Sequence, residues 1–203
     1  METEIIVALI TAVLTSIVGP IAVHYAKQIN DSRKKKEDPL TESLKVNQII
    51  NEKLDVVRKE YNADRTWMLQ FHNGGHFYPT GKSIQKFSMV YEMLIPSVVP
   101  CQSQFQNIPV SLFSVAINKL LDGNTIQIPN AADDDSRFEG ITSVITGAGV
   151  ESTYIFPIFN IKAEFVGIVG IDYVENQTTL STDQIKNISL ETSTIGGVLN
   201  NYL

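Results

Sequence analysis

The sequence has one cysteine, three histidines, 12 glycines and 8 prolines in 203 residues. A lone Cys101 excludes an internal disulfide and fits a reducing compartment. Low glycine and proline exclude collagen-like and disordered classes. Charged residues make up only 19% of the chain, below the usual quarter, while mean hydropathy stands at +0.02. Apolar residues must therefore be concentrated somewhere.

They are concentrated at the N-terminus. From Ile5 to Ala26 there is no Asp, Glu, Lys or Arg, a run of 22 residues. A bilayer core needs about 20 predominantly apolar residues in a helix, so this run is long enough to span. Gly19-Pro20 would kink it, and Tyr25 sits where an interfacial anchor belongs. A buried soluble helix and a cleaved signal peptide are the alternatives. Glu2 and Glu4 make the start acidic and no A-x-A cleavage pattern follows, against the signal peptide. Lys27, Arg33, Lys34, Lys35 and Lys36 all follow the run. The positive-inside rule then predicts a single-pass protein with its N-terminus outside and its C-terminal bulk in the cytoplasm. The expected division is an anchor over 1–27 that contacts membrane lipid, a basic juxtamembrane linker over 28–41, and a folded domain over 42–203.

The first 39 residues hold five basic and five acidic side chains, leaving 11 basic and 17 acidic over 40–203. Nothing there resembles the basic footprint of a nucleic-acid binder, so no nucleic-acid partner is expected.

The periodicity of the folded part predicts an α+β domain. Asp38-Pro39 breaks any continuation of the anchor helix, and a new helix is expected from about Thr41. In it Leu44, Asn47, Ile50, Leu54, Val57 and Tyr61 form a stripe, suited to a partner helix or to the domain's own sheet. Strands are expected over Thr66–His72, ended by Asn73-Gly74-Gly75, and within Ile84–Leu94, with Phe87, Met89 and Tyr91 on one face. Val110–Leu121 reads as a helix with Leu112, Val115, Ala116, Lys119 and Leu120 on one face. A short strand follows at Thr125–Ile128, and then a short helical segment. Thr153–Phe159 and Phe165–Val174 form a hairpin, apolar on both faces and so covered on both sides, where Gly167 and Gly170 admit a close approach. Ser181-Thr182-Asp183-Gln184 is a capping box opening a final helix, with Ile185, Ile188, Thr192, Ile195, Leu199 and Tyr202 on one stripe.

Three segments in this order carry a family resemblance. Ile126–Pro129 followed by the acidic Asp133–Phe138 loop resembles the strand and "D-x-R-F" loop of GAF domains, small-molecule-sensing relatives of PAS domains. Glu151–Phe159 resembles their "S-x-L-x-x-P-I" strand, and Phe165–Ile171 the "x-x-G-V-L" strand after it. The resemblance implies a central antiparallel sheet of five or six strands flanked by helices, here preceded by one transmembrane helix. Terminal helices would pack on one face and a ligand pocket would lie on the other. It also implies a homodimer through the first and last helices of the domain.

Members bind cyclic nucleotides, bilins, haem or amino acids, and many only pack. An attached bilin needs a suitably placed cysteine, and Cys101 lies between Pro100 and Gln102 with no histidine following. Sulfoxide-reducing members use several cysteines, which this chain lacks. No cofactor is specified. The candidate ligand-binding residues are His72, Asn73, Tyr91, Asp135, Arg137, Phe138 and Tyr154.

Other constellations are weaker. His72 and His76 flank Gly74-Gly75, but no third ligand stands near for a metal, and a turn explains the segment without function. Asp133-Asp134-Asp135 lacks the EF-hand spacing and reads as a solvated loop, in which Arg137 either meets an anionic ligand or holds the acidic side chains. Gly81-Lys82-Ser83 lacks the rest of a phosphate loop, and no G-x-S-x-G elbow appears. Nothing specifies catalysis. The expectation is a membrane-tethered sensory module that dimerises and binds a small molecule; the alternative is a ligand-free scaffold of the same fold that assembles partners at the membrane.

Overall fold

The computed structural model describes residues 3, 14–33, 38–132 and 139–200. The chain divides into two compact units, Met1–Glu42 and Ser43–Leu203. In the first, Leu14–Val18 form a π-helical turn that passes into helix α1, Gly19–Arg33. The change falls at Gly19-Pro20, where proline has no N–H to offer the helical ladder. Among the described residues no helix is long and apolar enough to cross a membrane. The expected spanning helix is therefore not seen; residues 5–13 of its run lie outside the described residues.

Helix α2 runs from Pro39 to Glu60, starting two residues earlier than the sequence suggests. Proline is well placed in a first turn, where its missing N–H costs nothing. The buried stripe is Val46, Ile50, Leu54 and Val57, continued by Tyr61. Leu44 is exposed and Val46 takes its place, so the first turn of the expected stripe is rotated.

Six strands form one antiparallel sheet: β1 Arg65–His76, β2 Ser83–Leu94, β3 Ile108–Pro109, β4 Ile126–Ile128, β5 Ser152–Phe159 and β6 Phe165–Tyr173. The order is β3-β2-β1-β6-β5-β4. Short 3₁₀ turns, Gln102–Gln104 and Val110–Phe113, flank β3, and the second leads into α3, Ser114–Leu121. The expected single helix from Val110 is thus split, and Leu112 and Val115 stand exposed while Ala116 and Leu120 are buried. Helix α4, Glu139–Gly147, follows β4, and α5, Thr182–Asn200, closes the fold. Its capping box is formed: Gln184 N–H donates to Ser181 Oγ (3.2 Å) and Ser181 N–H to Gln184 Oε1 (2.9 Å).

The two faces of the sheet bury different cores. On one face α2 and α5 cover Met68, Tyr154, Phe156, Ile158, Val169 and Ile171. On the other, Trp67, Leu69, Phe87, Met89, Ile155 and Ile168 pack with Ala116 and Leu120 of α3. Side chains alternate across a strand, so one residue's slip in register exchanges the faces. That happens in β2. Met68 pairs with Tyr91 but Leu69 with Met89, leaving Val90 as a bulge. Tyr91 is thereby turned away from Phe87 and Met89 onto the α2 face, where its hydroxyl donates to Asn47 Oδ1 (2.6 Å). The loop after β2 satisfies the backbone at the bulge: Gln102 Nε2 donates to Val90 O (3.1 Å), Gln106 Nε2 to Met89 O (2.8 Å).

β1 also runs on past Asn73-Gly74-Gly75 to His76, because a second irregularity at Asn73–His76 absorbs the glycines without ending the ladder. Close approach occurs at other partners than the sequence suggests. Gly170, opposite Trp67, leaves room for that indole, with which a Cβ would collide. The helix contact is at Gly196 of α5, where a Cβ would meet the Phe159 carbonyl. The neighbouring Gly197 faces open space. Gly196→Ala should therefore destabilise the domain by about 1–3 kcal/mol through overpacking. Gly197→Ala should stabilise it by about 0.5–1 kcal/mol through helix propensity. Urea unfolding of both variants measures this, and equal effects would contradict the helix–sheet contact.

Candidate functional site

A cavity lies under the sheet face away from α2 and α5. Its volume is about 80 Å³. Strands β1, β2, β5 and β6 supply one wall through Trp67, Leu69, Phe87, Met89, Ile155 and Ile168. The opposite wall comes from α3 and its preceding turn (Phe113, Ala116, Ile117, Leu120) and from α4 and the loop after it (Ile141, Val144, Ala148, Val150). Phe105 and Cys101 complete it from the loop after β2.

At one end stand two buried charged side chains, Arg65 and Asp172, each about 2% exposed. They are direct cross-strand partners, and Thr153 is the partner of Asp172 on its other side. Asp172 accepts three hydrogen bonds: from Thr153 Oγ1 to Oδ1 (2.7 Å), from Trp67 Nε1 to Oδ2 (2.9 Å) and from Arg65 Nη1 to Oδ2 (3.2 Å). Burial pushes the Asp172 carboxyl above the usual carboxylate range, against the pull of Thr153, Arg65 and Trp67. Arg65 Nη2 donates to Val99 O (3.1 Å) and Nε lies 3.3 Å from Glu92 Oε1. That last contact is an ion pair only, since the buried Nε–H has no hydrogen-bond acceptor. Glu92 in turn accepts the backbone N–H groups of Cys101 (2.9 Å) and Gln102 (3.1 Å) and the Cys101 thiol (3.2 Å).

Cys101 is consequently inert. Burial pushes its thiol up to about 12, Arg65 opposing and Glu92 assisting. Among the described residues no group of three or more His, Cys, Asp or Glu is placed to hold a metal ion.

None of the described candidate residues from the sequence lines this cavity. His72 lies along β1 beyond it, with Nε2 2.9 Å from Ser88 Oγ. Asn73 Oδ1 accepts from Ser83 Oγ (3.1 Å) and Gln85 Nε2 (3.3 Å), tying the β1–β2 hairpin together. Tyr91 and Tyr154 both face the helices, and the Tyr154 hydroxyl is held by Thr178 O and Leu180 N–H. Asp135, Arg137 and Phe138 lie outside the described residues. The network that was missed had one sequence signal: Asp172 is a charge set within the otherwise apolar strand β6, and such a charge is buried only when paired.

The thiol's state yields a measurable expectation. A shift from 9.0 to about 12 leaves about a thousandfold less thiolate at neutral pH. Iodoacetamide should label Cys101 in the native protein at least about a hundredfold more slowly than in urea. Comparable rates would contradict the buried Glu92–Cys101 contact.

No family model matches the sequence, and no curated protein is similar to it. Similarity appears among solved structures. A far-red cyanobacteriochrome photoreceptor is 12% identical, with a TM-score of 0.62 over 89% of this chain and 98% of its own. The blue-light-absorbing form of the PixJ GAF domain of Thermosynechococcus elongatus is 14% identical, with a TM-score of 0.63 over 80% and 89%. The phycocyanobilin-bound GAF domain of a cyanobacterial phytochrome is 20% identical, with a TM-score of 0.59 over 80% and 91%. Two of these three are GAF domains by name, and at these TM-scores the fold of this chain is the GAF fold.

Proposed function

We propose that the chain is a membrane-tethered sensory module whose GAF-fold domain binds a small molecule and carries no catalytic step of its own. The observation that carries this reading is the cavity between the sheet and α3–α4, on the face that the terminal helices leave free. Small-molecule sites are concave, mostly apolar and furnished with few polar groups, and this one has that character. The phytochrome neighbour holds phycocyanobilin, which supports a small-molecule role for this fold. Here the ligand is held without a covalent bond to Cys101, whose thiol stays protonated.

Tethering is supported by the uncharged run over 5–26, and a cytoplasmic domain by the basic residues after it through the positive-inside rule. Dimerisation through α2 and α5 is supported by the apolar side chains they leave exposed, Leu44, Ile49, Val56 and Leu190. Ligand and helices meet through the sheet: the cavity residues Trp67 and Ile168 alternate with Met68 and Val169, which pack under α2 and α5. A ligand shifts helix packing only by its difference in affinity for two arrangements.

The full chain, isolated with its membranes and then denatured, should release a small molecule in about equimolar amount, detected by mass spectrometry. Before denaturation the chain should stay in the pellet after an alkaline carbonate wash. An empty protein whose melting temperature is unmoved by a metabolite panel would contradict the sensory reading and favour a scaffold. A chain washed free by carbonate would contradict the tether.

A further inference from the structure

The β1–β2 hairpin runs on past the sheet it belongs to. β6 accompanies β1 only as far as Gln70, opposite Gly167, whereas β1 and β2 keep pairing with each other out to His76 and Ser83. Beyond them Phe77 N–H donates to Lys82 O (2.8 Å) and Gly81 N–H to Phe77 O (2.8 Å), which gives the tip a defined shape. Two adjacent aromatic rings stand on it in solvent, Phe77 at 56% and Tyr78 at 98% exposure. Neither belongs to the core on either face of the sheet. Grouped apolar side chains held out from a domain mark a contact surface, where a single one would not.

Charge and placement name the partner. From Thr66 to Tyr91 the sequence has no Asp or Glu but has Lys82 and Lys86, in a domain with 11 basic and 17 acidic side chains over 40–203. Lys82 is exposed at the tip, and the stem of Lys86 lies across Gly74, where a Cβ would collide with it. Aromatic rings beside lysines suit the interface of an anionic bilayer. The hairpin also leaves the sheet at the end where the chain enters the domain. Thr66 Oγ1 donates to Leu54 O, and Tyr91, the partner of Met68, donates to Asn47, so α2 runs antiparallel to β1 with its start toward the tip. The eight residues of β1 from Met68 to His76 cover about 26 Å, against about 6 Å for the four of α2 from Asn47 back to Ser43. The tip therefore projects beyond the domain's first residue. Only residues 27–42 separate Ser43 from the uncharged run, about 24 Å at the rise of a helix, so a tether of that length leaves the tip within reach of headgroups.

We propose that the tip of the β1–β2 hairpin docks on the anionic face of the membrane to which the chain is tethered. Phe77 and Tyr78 enter the headgroup layer, and Lys82 and Lys86 meet its negative charge. The inference rests on the tethered reading above and adds a second, reversible contact with the same bilayer. Two rings and two lysines bind weakly alone, each lysine near the surface contributing about fivefold. The tether makes docking intramolecular, so a weak contact is enough.

Tyr78→Trp supplies a reporter at a site almost wholly in solvent, and Trp67, the one natural tryptophan, is buried. The difference in emission between the variant and the parent chain therefore reads the tip. The full chain is reconstituted into vesicles of phosphatidylcholine, alone or with about one-third phosphatidylserine, with and without brominated acyl chains. Flotation reads the tether, and quenching by brominated lipid reads docking. With phosphatidylserine the added emission should shift to shorter wavelength and be quenched at least about twofold more than in phosphatidylcholine alone. Lys82→Gln should lower the ratio of docked to free tips about fivefold, and Phe77→Ser should also lower it, with circular dichroism unchanged. A chain that floats with both vesicles but is not quenched would overturn docking and leave the tether. Flotation and quenching only with phosphatidylserine would overturn the tether and keep the hairpin contact; flotation with neither would overturn both. Equal quenching in the two lipids would overturn the anionic surface as the partner. A blue shift without quenching would overturn it in favour of a protein contact or a second copy of the chain.

Discussion

The pairing of Arg65 with Asp172 in the interior is the constraint on which the site depends. Removing two charges from water costs several kcal/mol per ion, and only good geometry with further hydrogen bonds offsets it. Here the offset comes from four elements. β1 supplies Arg65 and the Trp67 indole, β6 supplies Asp172, β5 supplies Thr153 and β2 supplies Glu92. Glu92 then anchors the loop at Cys101 and Gln102, and Arg65 anchors it at Val99. One cluster of charges therefore fixes strand register, the orientation of an aromatic wall and the loop that closes that side of the cavity. Because these polar groups are occupied by one another, all but the Arg65 Nε–H by hydrogen bonds, the rest of the cavity presents apolar surface.

The bulge at Val90 is the second device. Without it, Tyr91 would fall on the cavity side by simple alternation, and its hydroxyl would need a partner among apolar walls. With it, Tyr91 bonds to Asn47 of α2, and Glu92 comes to lie opposite Trp67, on the side where Arg65 and Cys101 wait. A one-residue insertion in the ladder thus sends the tyrosine to the helices and the glutamate to the charged cluster. The two cores stay separate, joined only through alternating residues of the same strands, and a change on one face reaches the other through the backbone.

Much of the fold was legible in the sequence, and little of the site. Periodicity and the capping box at Ser181 located five strands and the long helices of the domain, because apolar spacing and end signals are local properties. The two-residue β3 has no periodicity to read. Boundaries failed where tertiary pairing overrode turn chemistry, as at Asn73-Gly74-Gly75, which a bulge carries within β1. The site residues depend on register, which is non-local. His72 and Asn73 stand out as polar residues near glycines, yet their side chains serve the hairpin. Tyr154 looks like a pocket aromatic and faces α5 instead. Asp172 was the legible clue, a carboxylate in a strand that is otherwise apolar, but its partner at a separation of 107 residues was not.

The central claim is that Arg65 and Asp172 act as one unit, and a double-mutant cycle tests it most directly. Arg65→Met, Asp172→Leu and the combined variant are compared by urea unfolding. Each single change should cost about 3–5 kcal/mol, because it leaves the other charge buried without its partner. The double variant should recover a large part of that, giving a coupling of about 2 kcal/mol or more. Losses that simply add, with coupling under about 0.5 kcal/mol, would contradict the account.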